Sequence, residues 1–190
     1  MDYLSLFKMP KPMKITGRSS SITNSFINSI IPVIEPTNEE VKEALTILGM
    51  DHESFQCIYC GSVASEWDHL RPLVKDKKPT GYISEIHNLV PACGKCNQSK
   101  GNKDWRMWIV SDAALSPKTK GVTDIAARLE KLERYEQWQQ PTQVDFEQLV
   151  GQEKWAQHWS NWELVQQTMR DAQLLAAEIN TTVAKEYKRL

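Results

Sequence analysis

No stretch of this 190-residue sequence reaches the run of about eighteen uninterrupted apolar residues that a membrane-crossing helix needs, so no membrane partner is expected. The opening "MDYLSLFKMPKPMK" has no apolar segment followed by a small-residue cleavage site, which points to a cytoplasmic location. Cysteine is scarce. In a reducing compartment its four copies are expected to be metal ligands or catalytic thiols, not a disulfide framework. No internal repeat is found, and the net charge of -1 argues neither for nor against a nucleic-acid partner. With 41% hydrophobic and 25% charged residues, and seven tryptophans, the chain has the composition of a folded globular protein with a real core.

Charge is unevenly spread. Between His69 and Arg106 eight Lys/Arg stand against three Asp/Glu, whereas beyond residue 120 eight stand against eleven, so the middle suits a polyanion and the tail does something else. Residues 1–36 are poor in acid, rich in serine and broken by prolines, and they read as an arm with one short element near residues 26–31. "PTNEEVKEALTILGM" is a helix. Thr37 and Glu40 have capping-box spacing, Val41, Ala44, Leu45 and Leu48 share a face, and Gly49 ends it. From Phe55 to Pro91 short apolar runs around "KDKKPTG" suggest two strands and a long hairpin loop. A helix follows from Gly94, with Trp105, Trp108 and Ile109 facing the strands, and "SDAALSPKTKG" separates this unit from an all-helical remainder. There Ile125, Leu129 and Leu132 share a side, and Thr142 and Asp145 have capping-box spacing. Trp155, Trp159, Trp162, Met169, Ala176, Ile179 and Val183 then recur at helical steps, in a helix long enough to fold back as a brace or to pair with a second subunit.

"CIYC" at Cys57–Cys60 and "CGKC" at Cys93–Cys96 use every cysteine in two identical spacings. Two residues between thiolates let the chain turn so that both sulfurs reach one ion, and two such turns complete a tetrahedron with no open position. The expected ion is therefore a structural Zn2+. The alternatives are a redox pair or four unrelated buried thiols. The thirty-two residues between the pairs exceed a zinc-ribbon loop, so something folded lies between them, and it contains Asp68 and His69.

The segment "WDHLRPLVKDKKPTGYISEIHNLVPACGKCNQSKG" resembles the HNH endonuclease family over roughly residues 55–108, through "DH", "NLVPAC" and "CNQSKG" in that order. The resemblance implies a ββα-metal fold with His69 as general base, Asp68 and Asn97 as ligands of a catalytic ion, and Asn88 tying the loop between the strands. Asn97 stands where many members carry histidine, an H-N-N version of the pattern. Hard oxygen donors favour Mg2+ or Mn2+ there. Neighbouring side chains of a regular strand point to opposite faces, so the strand has to end or twist at Asp68 and His69 for both to reach one phosphate. Pro72 suits such an exit.

The expected class is thus α+β: a zinc-stapled ββα-metal core with an N-terminal arm and helix and an all-helical C-terminal part, divided as 1–36, 37–110 and 121–190. The expected function is metal-dependent cleavage of double-stranded DNA to 5′-phosphate and 3′-hydroxyl ends by a homodimeric restriction endonuclease. A phage or mobile-element nicking nuclease and a non-catalytic zinc-knuckle binding module are the alternatives. Arg71, Lys75, Lys77 and Lys78 of the loop, with Lys100 and Lys103 of the helix, are the expected phosphate contacts. His87 is expected to be solvated or structural, since alternation along a strand would turn it away from Asn88.

Overall fold

A computed structural model describes residues 3–141 and 143–188. The chain forms two compact units, one of residues 27–149 and one that joins the described residues before 27 to those from 150 onward. The division expected at 36, 110 and 121 differs from both boundaries: the arm belongs with the last helix, and the helix of residues 125–138 belongs with the cysteine-bearing core.

In the larger unit, α2 (Asn38–Ile47) starts at a complete capping box, with Thr37 N–H donating to Glu40 Oε2 at 2.7 Å and Glu40 N–H to Thr37 Oγ1 at 3.2 Å. Gly49, at φ 66°, ends it in a left-handed turn. Strand β1 (Glu66–His69) pairs antiparallel with β4 (Leu89–Ala92), His69 opposite Leu89 and Glu66 opposite Ala92. Between them "VKDKKP" is itself a small hairpin, β2 (Val74–Lys75) and β3 (Lys78–Pro79), whose turn residues Asp76 and Lys77 both take positive φ. Helix α3 (Gly94–Lys100) follows β4 directly and completes a strand–strand–helix unit. The continuous helix expected from Gly94 breaks at Gly101, and α4 (Trp105–Ile109) restarts with Asp104 capping Met107 N–H at 3.0 Å. Trp105, Trp108 and Ile109 are buried, as their spacing implied.

Helix α5 (Ile125–Trp138) closes the core with Leu132 and Tyr135. The Tyr135 hydroxyl donates to the carbonyls of Ile86 and Leu89, and so pins the turn that leads into β4. After Pro141, α6 (Phe146–Val150) is capped by Asp145, whose Oδ1 accepts Gln148 N–H at 3.0 Å. The partner expected in that cap, Thr142, lies outside the described residues.

In the second unit α7 (Gln152–Tyr187) runs unbroken for 36 residues. Helix α1 (Ser19–Asn28) and the chain before it lie along α7 in the opposite direction. Trp162 Nε1 donates to Thr23 Oγ1 at 3.1 Å, and Ile15 N–H donates to Gln173 Oε1 at 2.7 Å. The brace is therefore mutual, arm on helix. No described helix is long and apolar enough to cross a membrane.

Candidate active site and four-cysteine centre

The two knuckles meet. All four cysteine Sγ atoms lie within 4.8 Å of one another, and Cys60 and Cys93 are 3.8 Å apart. Zn–S bonds of about 2.3 Å arranged tetrahedrally put sulfurs about 3.8 Å apart, so the cluster has the dimensions of a zinc site. The first knuckle turns through Gly61 at φ 73°, where a Cβ would fall 2.7 Å from the Arg128 guanidinium. Arg128 itself donates to the Ile58 carbonyl at 2.8 Å, so α5 holds the knuckle from behind. The second knuckle is the first turn of α3. The Cys57 thiol is pushed up to about 11 by its hydrogen bond to Cys60, and that bond holds the Cys60 thiol far below its usual range.

His69 is the last residue of β1 and pairs in register with Leu89, as Asp68 does with Val90. Its Nε2 lies 2.8 Å from the hydroxyl of Ser84. Ser84 is buried, and its backbone is fixed by the 32–34 strap: Ile34 N–H donates to the Ser84 carbonyl at 2.8 Å, and Ser84 N–H to Pro32 O at 3.2 Å. Burial, and after it the nearby Lys100 charge, pull the His69 pKa down to about 4, so the ring is neutral near pH 7.

Asn88 is fully buried and holds the chain as it leaves β1. Its Oδ1 accepts Arg71 N–H at 2.8 Å and its Nδ2 donates to the Arg71 carbonyl at 3.0 Å, while Leu70 N–H donates to the Asn88 carbonyl at 2.8 Å.

Asp68 faces inward, on the side of the strand opposite His69. Its carboxylate accepts from the Tyr59 hydroxyl at 2.6 Å and from Lys100 Nζ at 3.0 Å. Lys100 Nζ also donates to the His69 carbonyl at 2.7 Å. Burial pushes the Asp68 carboxyl up against the opposing Lys100 charge, and pushes the Lys100 ammonium down against Asp68. Asn97, on α3, donates through Nδ2 to Glu66 Oε2 at 2.6 Å, which leaves its Oδ1 as an available donor atom.

The expected ligands Asp68 and Asn97 offer oxygen atoms of the hard kind that magnesium or manganese takes. The Asp68 carboxylate is already paired with the buried Lys100 ammonium and accepts from the Tyr59 hydroxyl, so a dication there would have to compete with Lys100 for it.

Two expected phosphate contacts are corrected. Lys100 has no exposed surface, because its ammonium turns inward to Asp68. Arg71 is nearly buried as well, paired at 3.4 Å with Glu136 of α5, a carboxylate that also receives Arg106. Lys75, Lys77 and Lys78 are exposed on the small hairpin, and exposed Lys103 donates to the Ser99 carbonyl at 2.7 Å near the end of α3. His87 is in a 3₁₀ turn, not a strand. It is buried against Trp138, with ring centroids 4.4 Å apart, so its place is structural and not solvated. Sequence reasoning missed Glu66, Ser84 and Tyr59. Of these only Glu66 left a signal, being two residues before Asp68 and so on the same strand face.

Residues 57–103 match the family model described as HNH endonuclease, a family of phosphodiester hydrolases, and this stretch holds all four cysteines of the cluster. Among curated proteins the chain is similar to a CRISPR-associated endonuclease Cas9 from Corynebacterium diphtheriae, 25% identical over 170 residues that cover 78% of this chain. The chain spans 14% of that relative's length. No solved structure matches.

Proposed function

We propose that this chain hydrolyses DNA phosphodiester bonds, with His69 as general base, Asp68 and Asn97 as the residues that would hold a magnesium or manganese ion, and Asn88 as the residue that positions the base. The observation that carries the reading is the neutral His69 at the end of β1, engaged at Nε2 by Ser84. In the tautomer whose Nε2–H donates to the Ser84 hydroxyl, Nδ1 is the ring nitrogen left to take a proton from the attacking water. The ion supplies charge stabilisation at the scissile phosphate and at the departing 3′-oxygen when bound. Asn88 fixes the backbone just beyond His69, and hence where the ring meets its substrate. Lys75, Lys77 and Lys78 project as an exposed basic hairpin suited to phosphates on either side of the cleaved bond. The products are a 5′-phosphate and a 3′-hydroxyl.

The finer role of a homodimeric restriction endonuclease on duplex DNA needs a face for a second copy, and exposed Ile179 and Val183 on the last turns of α7 are the residues we assign to it. The family match and the relative carry endonuclease chemistry and do not extend to restriction. Light scattering with and without duplex DNA tests the dimer, and a strict monomer at micromolar concentration refutes it.

The test of the chemistry is nicking of supercoiled plasmid by the zinc-loaded chain with magnesium or manganese. His69→Ala should lower the rate by about a hundredfold or more while circular dichroism and DNA binding are retained. A variant within tenfold of wild type removes His69 from the reaction. A wild-type chain that cuts no DNA with any divalent ion sinks the reading as a whole.

A further inference from the structure

The segment between α4 and α5, "SDAALSPKTKG", has the sequence of a linker and the bonding of a built element. Ser116 is fully buried, its hydroxyl donating to the Ser111 carbonyl at 2.7 Å and accepting Thr119 N–H at 3.2 Å. Lys118 N–H donates to the Ile109 carbonyl at 3.2 Å, tying the loop back to α4. Leu115 takes φ 66°, a conformation that costs a side-chain-bearing residue on the order of 1 kcal/mol and persists only where the surroundings enforce it. The loop delivers Lys120, whose N–H donates to the Ser116 carbonyl at 2.9 Å. Lys120 Nζ reaches Cys96 Sγ at 3.2 Å and Cys60 Sγ at 3.4 Å, one sulfur from each knuckle. The Ser62 hydroxyl stands 3.1 Å from Cys60 Sγ.

We infer that Lys120 is a zinc-site residue: its ammonium caps the Cys60 and Cys96 thiolates, and the ordered loop exists to hold it there. This rests on the reading of the cysteine cluster as a structural zinc site. Four thiolates around one dication leave a net negative charge in a half-buried place. A charge-assisted N–H···S contact to two of them disperses that charge and lowers the sulfurs' readiness to take a proton or an electrophile in place of zinc. The contact also staples residues 111–121 to both knuckles, so zinc and loop hold each other in place. Lys118, two residues earlier, pairs instead with exposed Asp112 at 2.9 Å, and is the natural control for charge in the loop.

The test uses the full zinc-loaded chain. Zinc content is measured by mass spectrometry, and zinc release by transfer to a chromogenic chelator after a mercurial or excess chelator is added. Lys120→Met should release zinc about tenfold faster than wild type, with Lys118→Met unchanged. In the cobalt-substituted protein Lys120→Met should also shift the sulfur-to-cobalt charge-transfer band to longer wavelength, which a merely structural loop residue would not do. If Lys120→Met fails to fold, Lys120→Arg decides through the donor it keeps: zinc release and a cobalt spectrum close to wild type support the assignment, and loss of zinc at the first addition of chelator overturns it. A wild-type chain without stoichiometric zinc removes the zinc reading itself. A wild type that holds zinc, beside a Lys120→Met variant with unchanged release and spectrum, overturns only the role of Lys120.

Discussion

Lys100→Met separates two roles for one lysine. The ammonium of Lys100 is wholly buried and bonds both the Asp68 carboxylate at 3.0 Å and the His69 carbonyl at 2.7 Å. Methionine fills similar volume but leaves Asp68 buried with the Tyr59 hydroxyl as its remaining donor among these contacts. Removing one partner of a buried ion pair costs about 3–5 kcal/mol. Uptake of a proton by Asp68, whose carboxyl burial already pushes up, offsets part of this, so about 3 kcal/mol is expected. The Asp68→Asn/Lys100→Met double variant strands no charge and should recover at least half of that loss. Because the chain has two units, a whole-protein melt is a poor gauge, and hydrogen exchange of the β1 and β4 amides in the zinc-loaded protein reports the relevant unit. A loss of about 3 kcal/mol means exchange roughly a hundredfold faster in Lys100→Met. Protection within threefold of wild type, together with weakened DNA binding and a smaller salt slope, would restore Lys100 to the DNA surface and refute the buried-pair argument.

His69 makes stability depend on pH. Its pKa is about 4 in the fold against about 6.5 unfolded, so the unfolded chain takes up the proton first. The contribution is complete above about pH 6.5, is lost as pH falls toward 4, and amounts to about 3 kcal/mol over that window. Asp68 titrates in wild type and variant alike, so hydrogen-exchange protection of the β1 and β4 amides in His69→Gln against wild type, followed over that pH range, isolates the histidine share. Equal slopes with pH would show that His69 is not buried as described. Asn88→Ala strands both the N–H and the carbonyl of Arg71, at a cost of about 2–4 kcal/mol, and should slow cleavage by releasing the exit from β1. Asn88→Asp keeps the acceptor and should regain about half of the stability read from the β1 and β4 amides, whereas equal losses in the two variants would remove the acceptor from the account. Glu66→Ala removes the acceptor that orients the Asn97 amide, and manganese affinity of the zinc-loaded chain should weaken about tenfold by titration calorimetry. Unchanged affinity would show that the Glu66–Asn97 bond orients nothing.

What could be read from the sequence was set by residues close together along it. The cysteine pairs declare themselves because a two-residue gap is itself the geometry of a shared ion, and the structure brings all four sulfurs together. Thr37 with Glu40, and Gly49 after them, mark the limits of α2 for the same reason. β1 does end at His69, but Asp68 and His69 keep the alternation of a regular strand, with Asp68 turned to Tyr59 and Lys100 and His69 to Ser84, so the convergence expected of two adjacent side chains is not what the local pattern delivers. Ser84 could not be found this way. It lies fifteen residues from His69, placed by a strap around residue 33 that carries no pattern of its own. The arm is a similar case: the helical spacing of the α7 tryptophans showed a face to be covered, and nothing in the arm's serine-rich sequence showed that residues 15–26 cover it.

The basic residues show where local reading fails. Arg71, Lys75, Lys77, Lys78, Lys100 and Lys103 fall within one positively charged stretch, and by type and spacing all six suit phosphate equally well. The fold divides them according to partners far along the chain. Glu136, sixty-five residues on, draws Arg71 inward, and Asp68, thirty-two residues back, does the same to Lys100. The hairpin lysines are exposed at a turn, and Lys103 caps a helix end while exposed to solvent. A cation turns inward only where a carboxylate or carbonyls wait to compensate its desolvation, and such partners are generally remote in sequence. Lys120 extends the rule, since the groups that hold its ammonium are the sulfurs of Cys60 and Cys96, sixty and twenty-four residues away. The positive stretch therefore marks where an anion can be met, and the long-range pairing of each cation decides whether that anion is DNA, a buried carboxylate or a thiolate.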